Sequence, residues 1–270
     1  MIARAMPPCD FPLFVPANRP DRFAKALAAS HDAVVFDLED AVAADDKAGA
    51  RDALADQADL LRDSGKTVIL RINARGTPWH EEDLMACAAL PLATVMLPKS
   101  ESGDDLRALG DAVPSGVTRL ALIETAVGLA NVAAIANVGD RLVFGSVDFC
   151  ADLGCQHDRL ALLRPRHDLV IASRLNALPV PIDGVTAALT DEAAVRDDAA
   201  HAAMLGFGGK LLIHPRQIAA ARAGFAPSES EIVWAQKVLA ASDGTAVAVD
   251  GAMVDAPVLA RARSILANRI

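Results

Sequence analysis

The strongest constraint on this chain is a repeated pairing of a short apolar run with a helical stretch, continued from residue 11 to residue 214. Eight runs read as strands: Phe11–Pro16, Ala33–Leu38, Thr67–Ile72, Thr94–Pro98, Arg119–Ile123, Arg141–Gly145, Val180–Asp183 and Lys210–His214. Most are built from Val, Ile, Leu and Phe with no polar alternation, as strands covered on both faces are. Strands that alternate with helices specify parallel βαβ units. Eight such units close naturally into a (β/α)8 barrel. An open doubly wound sheet is the alternative, but the Gly-rich turn of its dinucleotide-binding version is missing after the first run.

Local signals place the helices. Asn18-Arg19-Pro20-Asp21 introduces a helix over Arg22–Ala29, and Asp45 or Asp46 can cap a run that extends through Leu61. Thr190-Asp191-Glu192 starts an alanine-rich helix that stops before Gly206. Beyond the eighth run, Ser228–Ser242 reads as an amphipathic helix, the next stretch as a Gly-turned hairpin, and Val258–Ala267 as a last helix. The expected division is a barrel over residues 1–225 and a C-terminal extension over 226–270. The tail exceeds what a closed barrel needs, so it is expected to pack on a neighbouring subunit.

In a (β/α)8 barrel, chemistry sits at the carboxyl ends of the strands. Here those ends carry Arg19, Asp37-Leu38-Glu39-Asp40, Arg71-Ile72-Asn73, Lys99, Glu124, Asp148, Asp183 and His214. Glu124 and Asp148 close two successive apolar runs, and burying unpaired carboxylates is costly. Two carboxylates with open water positions suit Mg²⁺, which keeps several waters and takes few protein ligands. Salt bridges to Arg71 or Arg19 are the alternative use of these acids. Arg71 can anchor a carboxylate or oxyanion through its planar fork, or pair with Glu39, or do both if Glu39 orients it. Asp37, Glu39 and Asp40 are too many charges for one metal, so at least one should pair with Lys47 or Arg51 or cap a helix; Asp40 is the structural candidate. Lys99 could form a Schiff base, which a metal makes unnecessary. His214 is expected to brace the rim. Arg19 and Lys25 flank a helix start, where phosphates bind, although solvated helix-face charges read the same way.

Net charge is −9 with both signs mixed along the chain, which argues against a nucleic-acid or anionic-membrane surface but not against an anionic small molecule. Cys9, Cys87, Cys150 and Cys155 form no CxxC pair, so free thiols in a reducing cytosol are expected. The start, MIARAMPPCDF, lacks a signal-peptide core, and no apolar run reaches the ~18 residues of a membrane span. A soluble cytoplasmic protein is the expectation.

The segments LFVPANRPDRFAKAL, VVFDLEDAVAADDKAGAR, LRIN, VMLPKSES, LIETAVGL, FGSVDFCADLG, GKLLIHPRQI, FAPSESEI and GAMVDAP run in order from Leu13 to Pro257. Together they resemble the citrate lyase β-subunit-like (HpcH/HpaI aldolase/citrate lyase) family, which includes malyl-CoA and citramalyl-CoA lyases. The resemblance implies a TIM barrel assembled as a homotrimer or a dimer of trimers. It implies Mg²⁺ on Glu124 and Asp148, a substrate-anchoring Arg71 with Glu39 at the catalytic centre, and Asp255 reaching a neighbour's site as the acid/base group. The sequence alone reads Asp255 as a turn residue. Arg19 and Lys25 would hold CoA phosphates. The implied reaction is Mg²⁺-dependent cleavage of a malyl-, citramalyl- or citryl-CoA-like thioester to acetyl-CoA and a 2-keto acid. The alternatives are a metal aldolase on free 2-keto-hydroxy diacids and a non-catalytic lyase subunit. Ala17 stands where the family commonly has Gly, Cys150 where it has Ala, and Asp40 where the related diacid aldolases carry a histidine.

Overall fold

A computed structural model describes residues 6–241, 247–249 and 252–267. Eight parallel strands follow one another in chain order around a single sheet: β1 (Leu13–Pro16), β2 (Ala33–Asp37), β3 (Thr67–Arg71), β4 (Thr94–Leu97), β5 (Thr118–Ile123), β6 (Arg141–Phe144), β7 (Ile182–Asp183) and β8 (Gly209–Lys210). The sheet closes on itself. Leu212 bridges Leu13 in parallel, and the Phe14 N–H donates to the Leu212 carbonyl at 2.8 Å. The result is the expected (β/α)8 barrel.

β7 and β8 are shorter than the apolar runs that announced them. Pro179 and Pro181 have no N–H to donate on the entry to β7. At β8 the chain presses against the segment that leads into β1: a Cβ on Gly209 would lie 1.9 Å from the Asp10 carbonyl oxygen. Glycine is therefore required where the barrel closes.

Side-chain parity divides the core into two. Val35, Ile69, Met96, Leu120, Leu122, Val143 and Ile182 fill the barrel interior. Their neighbours Val34, Phe36, Val68, Leu70, Ala121, Ile123, Leu142 and Phe144 face the helix layer. Because alternate residues point to opposite faces, the next inward positions are Asp37, Arg71, Glu124 and Gly145, at the carboxyl rim. Asp183 and Lys210 fall on the outward parity. They meet Arg166 and Asp198 in a buried ion network between the sheet and the helices Leu163–Leu175 and Glu192–Leu205. Asp183 is thus structural, not a rim group open to a ligand.

Most helices match their signals. Asp191 caps Glu192–Leu205 by accepting from the Ala194 N–H at 3.0 Å, and Gly206 ends that helix with φ 99°. The run expected through Leu61 is instead split into Lys47–Asp56 and Ala58–Asp63, with no side-chain cap from Asp46. Asp46 accepts from the Asn18 amide instead.

In the extension, helix Glu229–Ala241 precedes an antiparallel hairpin, β9 (Val247–Val249) with β10 (Ala252–Val254), and helix Ala256–Ala267 follows. Ser242 and the residues of the hairpin turn lie outside the described residues. Ala235, Val238, Val254 and Ala262 form a small core separate from that of the barrel. Among the described residues no helix is long and apolar enough to cross a membrane.

Candidate active site

A cavity of about 1400 Å³ opens at the carboxyl rim, and Asp37, Arg71, Glu124, Gly145 and Asp148 line it. Its geometry follows from strand register. Asp37 and Arg71 are direct partners across β2 and β3. Arg71 donates Nε–H to Asp37 Oδ1 and Nη2–H to Asp37 Oδ2, both at 2.7 Å. Its Nη1 lies 3.0 Å from Glu39 Oε2, and its guanidinium stacks 4.9 Å over the Phe14 ring. Burial works against the Arg71 charge, but Asp37 and then Glu39 raise its pKa above the ordinary value. The expected Glu39 partner is therefore present, but the bidentate hold belongs to Asp37. Asp37 takes two of the five N–H groups of Arg71, and Glu39 meets Nη1 as an ion pair.

Lys99 sits at φ 46°, and its side chain pairs with Glu39. Burial opposes the Lys99 charge, and the bond to Glu39 outweighs it, so its pKa is raised. A Schiff-base lysine needs the reverse, a neutral amine. Neither Lys47 nor Arg51, the expected partners, forms a side-chain ion pair with Asp37, Glu39 or Asp40, although the charges of those acids act on Lys47. Lys47 donates to the carbonyls of Leu38 and Glu39 at 2.6 and 2.7 Å, while Arg51 pairs with Glu82 and Asp83. Arg71 forms those pairs instead. Asp40 lies half-exposed at the cavity, 3.8 Å from Arg71.

Glu124 is only 1% exposed. Its Oε1 accepts the Lys99 backbone N–H at 2.8 Å, and its Oε2 has no hydrogen-bond partner. Burial, then repulsion from Glu39, pushes its pKa up to about 8 against the pull of Arg71 and the Lys99 N–H; Asp148 adds to the repulsion. Asp148 does not end a strand as the sequence suggested. β6 stops at Phe144, and Asp148 lies in the first turn of helix Ser146–Leu153. Neither acid is in an ion pair with Arg19 or Arg71 among the described residues.

These features fit a divalent cation. A buried, unpartnered carboxylate oxygen is costly unless something positive meets it. The donors are all oxygen, which suits a hard cation. Among the described residues no group of three His, Cys, Asp or Glu could hold a metal, so the remaining positions would fall to water or substrate oxygens.

Lys25 reaches the cavity, together with Arg22, Arg216 and His214. Arg19 does not. It is held by Asp21 through bonds of 2.8 and 2.7 Å at the exposed helix start. Arg22, three residues on, shares a helix face with Lys25, and that spacing could have found it. The His214 ring bonds within its own turn, Nδ1 accepting the Arg216 N–H at 3.2 Å. Glu39 is buried behind Arg71 and does not line the cavity. Asp255 does not line it either; its Oδ1 accepts the Val258 N–H at 3.2 Å at the start of the last helix. All four cysteines are free thiols.

A family model described as HpcH/HpaI aldolase/citrate lyase matches residues 11–215. The citrate lyase subunit beta-like protein of Mycobacterium tuberculosis is 39% identical over 264 residues, covering 94% of this chain and 93% of that protein. The (3S)-malyl-CoA thioesterase of Cereibacter sphaeroides is 36% identical over 267 residues, covering 95% of this chain and 93% of its own. The crystal structure of CitE from M. tuberculosis in complex with magnesium, acetoacetate and coenzyme A superposes with a TM-score of 0.86 at 36% identity, over 99% of each chain. The chain belongs to the HpcH/HpaI aldolase/citrate lyase family.

Proposed function

We propose that the protein is a Mg²⁺-dependent carbon–carbon lyase that cleaves a 3-hydroxyacyl-CoA bearing a carboxylate beside the hydroxyl, giving acetyl-CoA and a 2-keto acid. The carrying observation is the unpartnered buried Oε2 of Glu124 in the cavity that Arg71 and Asp148 also line. Magnesium and coenzyme A in the M. tuberculosis CitE crystal structure support the same reading.

Glu124 and Asp148 would hold the cation, which supplies Lewis acidity to the substrate's carboxylate and hydroxyl oxygens when bound. The hydroxyl passes its proton to water in the open cavity, the bond between the hydroxyl-bearing carbon and the methylene breaks, and the electron pair passes into the thioester as an enolate. The N–H groups of Arg71 that Asp37 leaves free stabilise that oxyanion. Asp37 and Glu39 keep the guanidinium in place, a positioning role. Asp255 of a neighbouring copy returns a proton to the enolate carbon, completing acetyl-CoA. Arg22, Lys25 and Arg216 form a cationic mouth suited to the phosphates of CoA. On this reading the extension over 226–270 completes a neighbouring subunit's site in a trimer or a dimer of trimers.

Thioester hydrolysis is the second reading, favoured by the similarity to the C. sphaeroides thioesterase. The test is a panel of malyl-, citramalyl- and citryl-CoA with Mg²⁺, scored for products. Release of acetyl-CoA and a keto acid supports cleavage. Release of free CoA and an intact hydroxy acid replaces it with hydrolysis. Turnover of free keto-hydroxy diacids alone would indicate an aldolase.

A further inference from the structure

Two of the four thiols meet in one turn. The helix Ser146–Leu153 ends at Gly154, which adopts φ 67°, and the Cys155 N–H then donates back to the Cys150 carbonyl at 3.0 Å. A left-handed residue followed by that bond turns the chain so that the side chains on either side of it face each other. The Cys150 thiol donates to the Gln156 carbonyl at 3.5 Å and has the Cys155 thiol as a hydrogen-bonding neighbour. Cys150 is 6% exposed, whereas Cys155 is half-buried and open to a small solute. Cys9 and Cys87 are at most 1% exposed. The same turn also reaches the other end of the helix. His157, close behind Cys155, lies 2.9 Å through Nε2 from Ser146 Oγ. Ser146 is buried and lines the cavity with Asp148, in the first turn of that helix.

We propose that Cys150 and Cys155 form a reversible disulfide when a hydroperoxide reaches them, and that this bond loosens the first turn of the helix Ser146–Leu153. Cys155, the accessible thiol, attacks the peroxide as its thiolate. The O–O bond breaks, an alcohol or water leaves, and Cys155 carries a sulfenic acid. Cys150 attacks that sulfur, the S–S bond forms, and water leaves. Two thiols and one hydroperoxide thus become one disulfide, one alcohol (water, from hydrogen peroxide) and one water. Two electrons pass from sulfur to oxygen, and a dithiol reductant reverses the step by exchange. The geometry allows the bond, because residues joined by a 3.0 Å backbone hydrogen bond sit near the Cα separation of about 4.4–6.8 Å that disulfides span. Once in the disulfide, Cys150 has no proton to give, so the Gln156 carbonyl loses its donor and His157 beside it loses its tether. Ser146 then loses its partner at the start of the helix that carries Asp148. The effect on a cation rests on the metal reading; the disulfide itself does not.

The test treats the full chain, reduced and freed of reductant, with hydrogen peroxide. No Lys or Arg lies between Leu142 and Arg159, so trypsin releases both cysteines on one peptide, which should be lighter by two hydrogen atoms. Thiols counted after unfolding should fall from four to two, and dithiothreitol should restore them. Cys155→Ser and Cys150→Ala should each fail to lose the two hydrogens. The oxidised wild type should bind Mn²⁺ at least about tenfold more weakly than the reduced protein, the cost of removing support from a metal ligand. Peroxide-treated Cys155→Ser should bind Mn²⁺ like its untreated form. No loss of two hydrogens, a disulfide only between chains on a non-reducing gel, or a disulfide that leaves Mn²⁺ binding unchanged would overturn the proposal. A reduced protein that binds no Mn²⁺ would sink the metal reading instead. The peptide mass, with amide exchange over residues 146–148 that should quicken on oxidation, would then still decide the switch.

Discussion

Gly145 and Glu124 are fitted to each other: a Cβ on Gly145 would lie 2.4 Å from the Glu124 Cβ and 2.5 Å from its Oε2. Any side chain at 145 displaces the carboxylate. Gly145→Ala should lower Mg²⁺-dependent activity at least about a hundredfold, because the group it moves is a proposed metal ligand. Overpacking should also cost about 1–3 kcal/mol of stability. Activity against Mg²⁺ concentration, together with a urea titration, measures both. Wild-type activity in this variant would mean that Glu124 need not stay where it is.

Asp37 makes two of the bonds that hold Arg71. Asp37→Ala leaves a buried guanidinium with Glu39 and the more distant Asp40 beside it, a loss of about 3–5 kcal/mol by the usual cost of breaking a buried pair. Chemical denaturation reads this directly. In the more conservative Asp37→Asn, kcat should fall more than KM rises if Asp37 serves to aim Arg71 at the oxyanion.

Asp255→Asn should keep the helix start that Asp255 caps, since Asn caps nearly as well. Its kcat should fall by about 10²–10⁴, the range for a lost acid/base group. Mixing Asp255→Asn chains with Glu124→Gln chains should restore activity, because exchange would create sites with both groups intact. If the mixture is as inactive as its components, Asp255 does not serve a neighbour.

Asp198 is part of the buried network with Lys210 and Thr186. Burial opposes its ionisation, but Lys210 and the Thr186 hydroxyl outweigh it and hold its pKa down to about 2, against an ordinary 3.8. A depressed carboxylate stabilises the fold fully above the unfolded pKa and loses that contribution as pH falls through the folded value. Asp198 should therefore contribute about 2 kcal/mol at pH 5 that disappears between roughly pH 4 and 2. Asp198→Asn should be less stable at pH 5 and show a flatter acid-unfolding curve over that interval. Parallel curves for the two proteins would contradict the assignment.

The barrel was legible in the sequence because its eight apolar runs read as strands buried on both faces, and eight such βα units are the number that closes a parallel sheet. Glu124 and Arg71 stood out as candidates for a related reason: charge at the end of an apolar run needs an explanation. Parity explains what was missed. Asp183 ends its run just as Glu124 does, but one step of alternation points it into the helix layer, and assigning that step requires knowing which neighbours are inside. Pairing across strands was equally hidden. Asp37 and Arg71 are 34 positions apart, so only the parallel register shows that the Arg71 fork is taken by Asp37. Gln217 gave no sign in the sequence, because its role comes from four bonds to two loops that the barrel brings together.

The central claim is that Glu124 and Asp148 jointly hold one divalent cation beside Arg71. Titration with Mn²⁺ followed by electron paramagnetic resonance tests it without any substrate. One tightly bound ion per chain is expected in the wild type, with binding lost or weakened at least about tenfold in both Glu124→Gln and Asp148→Asn. Wild-type Mn²⁺ binding in either variant, or no binding in the wild type, would contradict it.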